Sequence, residues 1–194
     1  CLLHSYANGA HEQQVGELIR KHFPQVFVSL SSVVLPEYRE YERAMTTLVD
    51  VLVKPYCKTY LQNAADKIRE RSGPIPFLIM QSNGGVMSPE IAARRPVMMM
   101  ESGPVGGIIA CAQIAEGLGY GNAISFDMGG TTAKVGLIQK GAPSVTKDYS
   151  VGSHAGGAVG GQSLSGYPVR TPVIDLVEIG AGGGSIAWVD SGGL

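Results

Sequence analysis

Apolar and polar residues recur along this chain in two rhythms, helical in its first part and strand-like after it. From His11 to His22, apolar Val15, Leu18 and Ile19 fall at helical spacing and predict a short amphipathic helix. Val26-Phe27-Val28-Ser29-Leu30 predicts a strand. Tyr38 to about Arg71 predicts a long helix with apolar positions at Met45, Leu48, Val49, Leu52, Val53, Tyr56, Tyr60, Leu61, Ala64 and Ile68. Pro55 lies inside it and predicts a kink or a break, and Ser72-Gly73-Pro74 ends it. Pro76 to Met80 predicts a buried strand. Ser88 predicts the cap of a short helix, with Pro89 at its first position and Glu90 in its first turn.

Residues 1 to about 75 are poor in glycine, and nearly all of the 27 glycines lie beyond about residue 84. Glu101 to Gly107 leads into a predicted small-residue helix, Ile108 to about Leu118. The glycines at its start suit close packing on a sheet, or exposure of N–H groups to an anion. A strand–turn–strand unit follows at 122–139, and a third strand, about Pro143 to Tyr149, is expected to extend the meander. Val151 to Gly166 predicts a long loop holding His154; a lone loop histidine is ordinarily solvated, with a functional role as the alternative. Pro172 to Ile179 predicts a strand that feeds Gly180-Ala181-Gly182-Gly183-Gly184-Ser185, and Ile186 to Asp190 predicts the next strand.

The candidate chemistry sits at the two glycine turns. Asp127 ends an apolar strand, where a carboxylate can hold a magnesium ion or orient a water. Gly129 and Gly130 allow a sharp turn and close approach to a ligand; their N–H groups, with Thr131 and Thr132, can donate to phosphate oxygens. Lys134 adds positive charge nearby. An ordinary hairpin with a Gly-Gly turn is the alternative. Gly180-x-Gly182-x-x-Ser185 is close to a dinucleotide fingerprint, but its third small residue is serine and a strand follows it, not a helix. No Walker sequence occurs, and Gly161-Gln162-Ser163-Leu164-Ser165 lacks the final glycine of a nucleophile elbow. The two turns therefore either face a nucleotide from one side of a cleft or stand as exposed turns on one sheet.

The whole chain narrows the partners. It has 194 residues, 44% hydrophobic and 16% charged, with net charge −1, which disfavours nucleic acid or an anionic membrane. No apolar run reaches the length of a membrane span. Three cysteines without metal spacing suggest reduced thiols in a cytoplasmic protein, and four dispersed histidines argue against zinc. The chain opens without Met or a signal peptide and stops at Ser191-Gly192-Gly193-Leu194, so a fragment of a longer protein is expected.

Phe126 to Thr132 together with Glu178 to Asp190 closely resembles the hydantoinase A/oxoprolinase family. Cys1 to Asn8, Leu30-Ser31-Ser32 through Glu37 to Arg43, Met80 to Met87 and Ser102 to Gly107 resemble its other landmarks in order. The resemblance implies an α/β, actin-like, ribonuclease H-like ATPase fold, with residues 1–45 the tail of a first domain and 46–194 the first part of a second. It implies a hydrolase that couples ATP cleavage to ring opening of a cyclic amide, as in N-methylhydantoinase and 5-oxoprolinase. An ATP-dependent acetone- or acetophenone-type carboxylase subunit, or a non-catalytic scaffold of the same fold, is the alternative. ATP and Mg2+ are the implied cofactors, and a hydantoinase B-type subunit or domain the implied partner. On this footing Asp127 is the catalytic and metal-holding residue. Gly129, Gly130, Thr131, Thr132, Lys134, Gly182, Gly183, Gly184 and Ser185 are the nucleotide contacts. Many members carry an acidic residue where this chain has Lys134.

Overall fold

The computed structural model describes residues 1–151, 166–186 and 188–189. Helix α1 (Ala10–His22) forms as expected, but it buries Glu12 and Gly16 and leaves Val15 and Leu18 exposed. The Leu30 methyls lie 3.0 and 3.2 Å from where a Cβ on Gly16 would stand, so the glycine side of the helix is the one that fits closely. Glu12 is only 2% exposed. Its carboxylate accepts from the N–H groups of Leu2 (2.7 Å) and Ser32 (2.8 Å) and from the hydroxyls of Ser5 (2.8 Å) and Ser31 (2.6 Å). Fully buried Arg43 donates to Ser5 Oγ and the Leu2 carbonyl, both at 2.8 Å.

Burial by itself raises the pKa of Glu12, but the hydrogen bonds from Ser31, Ser32 and Leu2 outweigh it and hold the carboxyl far below the ordinary 4.5. A depressed folded-state pKa means stability that is present above the unfolded value and lost as pH falls below it. Glu12→Gln is therefore expected to destabilise the protein by about 2 kcal/mol near pH 7. The gap should narrow as pH falls from about 5 to about 3. Urea unfolding of both proteins across that range checks it, and a gap independent of pH would refute the ionic origin.

The strand expected at Val26–Leu30 does not form. Side chains of the neighbouring helix take its polar groups instead: Lys54 Nζ donates to the Val28 carbonyl (3.3 Å) and Ser29 Oγ (2.7 Å), and Ser29 Oγ donates to buried Asp50 (2.6 Å). The short helix α2 (Ser31–Val34) follows. Helix α3 (Glu40–Ser72) then runs through Pro55 as one helix, so of the two outcomes expected there, a kink or a break, the break does not occur. It is anchored on both sides of the proline, by Arg43, Thr46, Thr47, Asp50 and Lys54 before it and Leu61 after it. Such packing offsets the roughly 3 kcal/mol that an interior proline costs a helix.

Of the strand expected at 76–80 only β1 (Ile79–Met80) forms, half-buried and paired with β2 (Val86–Met87). The turn between them is pinned by Ser82, whose N–H and hydroxyl donate to the Met98 carbonyl at 2.8 and 2.7 Å and whose carbonyl accepts from Ile174 N–H at 2.8 Å. Gly84 takes φ +87 there, with Ile109 Cδ1 2.8 Å from where a Cβ would stand. Helix α4 (Pro89–Arg94) carries its expected cap, Ser88 Oγ accepting from Ile91 N–H. After a 3-10 turn at Pro96–Met99, helix α5 (Ser102–Gly117) begins earlier than expected and takes the glycines into its own first turns. A Cβ on Gly103 or Gly107 would meet nothing within 4 Å, so these glycines do not bring it onto the sheet.

The expected hairpin is β3 (Ala123–Met128) and β4 (Ala133–Gln139), and β5 (Ala142–Pro143) pairs with β4. The rest of the expected third strand departs: β6 (Val145–Thr146) and β7 (Tyr149–Val151) pair with β9 (Val173–Ile174) and β8 (Tyr167–Val169). The run from Pro172 to Ile179 divides at Asp175, whose N–H donates to the Ser144 carbonyl (2.8 Å). Beyond it β10 (Leu176–Ile179) joins β4, giving an antiparallel sheet in the order β10-β4-β3. Of the strand expected at Ile186–Asp190, Ala187 and Asp190 lie outside the described residues; the described Ile186, Trp188 and Val189 are exposed and pair with no described strand. His154 and most of its expected loop lie outside the described residues.

Val105, Ile108 and Ala112 of α5 pack on Ile138 and Ile174 to form the core beneath the sheet. The close fit is made by a strand glycine: a Cβ on Gly136 would stand 2.6 Å from Ile108 Cδ1. The other face leaves Ile124, Phe126, Met128, Leu137, Val177 and Ile179 exposed. The three cysteines are free, as expected. Among the described residues no helix is long and apolar enough to cross a membrane.

Candidate functional site

Strand register places Asp127 opposite Lys134, and Lys134 opposite Glu178. Directly paired residues of antiparallel strands share a face, so the three side chains form one row across the sheet, on the side covered by α5. The row lies at the end of the sheet where the glycine turns are. Lys134 Nζ sits 3.3 Å from Glu178 Oε1 and 4.0 Å from Glu101 Oε2. Glu101 caps α5 with φ +57, and its other carboxylate oxygen accepts from the Tyr149 hydroxyl at 3.2 Å. Burial, reinforced by the Glu101 carboxylate, pushes the Tyr149 phenol up to about 12, so it stays a donor at physiological pH. Asp127 is exposed, and its carboxylate has no hydrogen bond or ion pair among the described residues.

The two glycine turns form one unit. Gly129 N–H closes the first by donating to the Thr132 carbonyl at 3.0 Å. In the second, Gly182 N–H donates to Ser185 Oγ at 3.0 Å and Ser185 N–H to the Gly182 carbonyl at 2.9 Å. Gly183 N–H then donates across to the Gly129 carbonyl at 2.9 Å. Gly182 lies so close to the first turn that a Cβ on it would stand 2.5 Å from the carbonyl carbon and oxygen of Gly130. The N–H groups of Gly130, Thr131 and Gly184 donate to nothing among the described residues.

The structure thus brings Gly129, Gly130, Thr131, Thr132, Gly182, Gly183, Gly184 and Ser185 into one place, with Asp127 at its edge. Lys134 lies in the adjacent row with its charge engaged by two carboxylates, and the Ser185 hydroxyl braces its own turn. Sequence reasoning missed Glu101 and Tyr149. The αL conformation at Glu101 and the departure of β7 from the meander bring them in, and neither has a local signal. Glu178 was recoverable, since its position on β10 follows once that strand is registered against β4.

A family model described as Hydantoinase/oxoprolinase matches residues 43–194. The chain belongs to the hydantoinase/oxoprolinase family. An uncharacterized relative from Methanocaldococcus jannaschii is 45% identical over 98% of this chain and 28% of its own length. The caprolactamase subunit alpha of Pseudomonas jessenii is 32% identical over 98% of this chain and 25% of its own. The nucleotide-free structure of acetone carboxylase, from work on ATP-dependent acetone carboxylation, superimposes with TM-score 0.75 at 27% identity, covering 98% of this chain and 25% of that one. This family member spans about a quarter of the length of those relatives, and it shares their mixed helix and sheet content. The stretch from Cys1 to Gly107 supports the fold with buried polar groups such as Glu12, Arg43 and Ser82.

Proposed function

We propose that this chain supplies one side of the nucleotide site of an ATP-dependent cyclic amide hydrolase of the hydantoinase/5-oxoprolinase type, on an actin-like fold whose first domain ends near residue 45. The observation that carries the proposal is the paired turn. Three N–H groups without a partner among the described residues, at Gly130, Thr131 and Gly184, lie in the two turns, and a Cβ on Gly130 would meet nothing within 4 Å. Unpaired N–H groups clustered in turns form anion-binding concavities. Phosphoryl transfer asks mainly for positioning and charge stabilisation, which such a cradle provides.

The residues fit ATP with Mg2+. Asp127 and Glu178 in the row, with Glu101 beside it, outnumber Lys134, so the cluster is net acidic and repels a bare polyphosphate. Asp127, whose carboxylate has no partner among the described residues, would hold a hard divalent cation, and the charge of that ion would offset the repulsion. Thr131 and Thr132 add hydroxyl donors beside the free N–H groups. Lys134, pinned by two carboxylates, acts here by holding Glu101 and Glu178 in place. ATP supplies the phosphoryl group that activates the amide oxygen; the chain's own part is to orient the phosphates and hold the metal-binding carboxylate. A hydantoinase B-type subunit is the proposed partner, consistent with the subunit naming of the caprolactamase relative, and the cytoplasm the proposed location.

A ketone carboxylase subunit is the second reading, favoured by the superposition on acetone carboxylase. ATP hydrolysis by the full-length protein with its partner subunit separates them. Stimulation by a hydantoin, 5-oxoproline or a simple lactam is expected. Stimulation only by a ketone with bicarbonate would transfer the assignment to the carboxylases, and none by any of them would leave the scaffold.

A further inference from the structure

The face of the β10-β4-β3 sheet turned away from α5 is lined with apolar side chains. Register sets Phe126 beside Val135 and Val177, and Met128 beside Ala133 and Ile179. Ile124 stands opposite Leu137 and extends the same surface. No polar side chain interrupts these rows, whereas the face under α5 carries Ser125, Asp127, Lys134 and Glu178. Phe126 is 61% exposed and Ile124 67%. Large apolar side chains standing together in this way form a patch of several hundred Å2, the size that marks an interaction surface. A sheet buries its apolar face against a second layer, and α5 does so on one side only.

The dimensions of the face select the kind of element that covers it. Three strands span two interstrand spacings, about 10 Å, which is the width of one α-helix. With six residues, β3 is about 20 Å long, the length of a helix of about 13 residues. The polypeptide itself is long enough to supply such a helix. This chain spans 28% of the Methanocaldococcus jannaschii relative and 25% of the caprolactamase subunit alpha, so most of each lies outside it. The chain also leaves the sheet at the right place. Beyond β10 the second glycine turn is fixed to the first by the bond from Gly183 N–H to the Gly129 carbonyl, next to the row of Met128, Ala133 and Ile179. Elements that follow one another in sequence usually pack side by side.

We infer that this face is the seat of an amphipathic helix from the polypeptide that follows residue 194 in the full-length protein. The helix lies across the strands from which both glycine turns spring. It needs none of the residues assigned to nucleotide, so its test stands apart from that assignment.

The test uses the full-length protein with its partner subunit. Ile124→Cys, Leu137→Cys and Val177→Cys are made one at a time, since cysteine is a small apolar residue that such a face accepts. Maleimide labelling at each site, followed by mass spectrometry, is expected to be at least about a hundredfold slower than in the urea-unfolded protein. A diazirine analogue of leucine at Leu137 then identifies the cover, in a mixture of isotope-labelled and unlabelled copies that separates contacts within a copy from contacts between copies. Beyond the sheet itself, its crosslinks are expected to run to peptides after residue 194 of the same copy. Labelling within about tenfold of the unfolded rate would show an open face. Crosslinks that run instead to a second copy, to the partner subunit or to another segment, or none beyond the sheet, would also overturn the inference.

Discussion

Gly182→Ala is expected to abolish nucleotide binding and to lower stability by about 3 kcal/mol. The added methyl would stand 2.5 Å from the carbonyl carbon and oxygen of Gly130 and 2.6 Å from the Thr131 nitrogen. Those atoms are backbone of a turn held by the Gly129–Thr132 bond and cannot swing aside as a side-chain tip would. The turns must separate, breaking the bond from Gly183 N–H to the Gly129 carbonyl and scattering the free N–H groups. Gly180 provides the control, since a Cβ on it meets nothing within 4 Å. Alanine there should leave binding within about threefold and stability within about 1 kcal/mol. Titration with a fluorescent nucleotide and thermal melts of the two variants check this. If Gly182→Ala binds nucleotide as the parent does, the paired turns are not the phosphate cradle.

Asp127→Asn is expected to lower the rate of ATP cleavage a hundredfold or more while leaving the melting temperature unchanged. Mutations that strip a metal of its carboxylate act on charge stabilisation in the transition state, not on folding. The structure supports that separation, because the exposed Asp127 carboxylate makes no hydrogen bond or ion pair within the described chain. Lys134→Met should behave in the opposite sense. Its ammonium sits between Glu178 and Glu101, so its loss leaves two carboxylates repelling each other at the end of the sheet. Steady-state ATPase assays beside melting curves distinguish the two residues. A stable Asp127→Asn protein with full ATPase activity would end its assignment as the metal-holding group.

The parts of the fold that could be read from the chain are those whose cause is local. The hairpin around Gly129-Gly130 forms where two apolar runs flank a flexible pair, and Ser88 caps α4 because its hydroxyl reaches the N–H of Ile91. The failures share a physical origin. Val26–Leu30 has strand composition, yet Lys54 and Asp50 take its polar groups before a strand partner does. Pro55 has the chemistry of a helix breaker, yet burial on both sides of it holds α3 in one piece. In α1 the apolar residues gave the right element and the wrong face, because a buried carboxylate with four donors outcompeted Val15 and Leu18 for the interior.

The candidate site divides in the same way. The sequence by itself determined that two glycine turns follow carboxylate-bearing strands, and its ordered landmarks point to the hydantoinase/oxoprolinase family that the comparisons show. Turn chemistry is written in adjacent residues, and so it survives without knowledge of the fold. Only the tertiary structure decided that Gly182 rests on Gly130 and that Lys134 is held by Glu178 and Glu101. Each of those pairings joins residues distant in sequence through strand register or helix packing. Both are set by which surfaces bury best together, not by any local pattern in the chain.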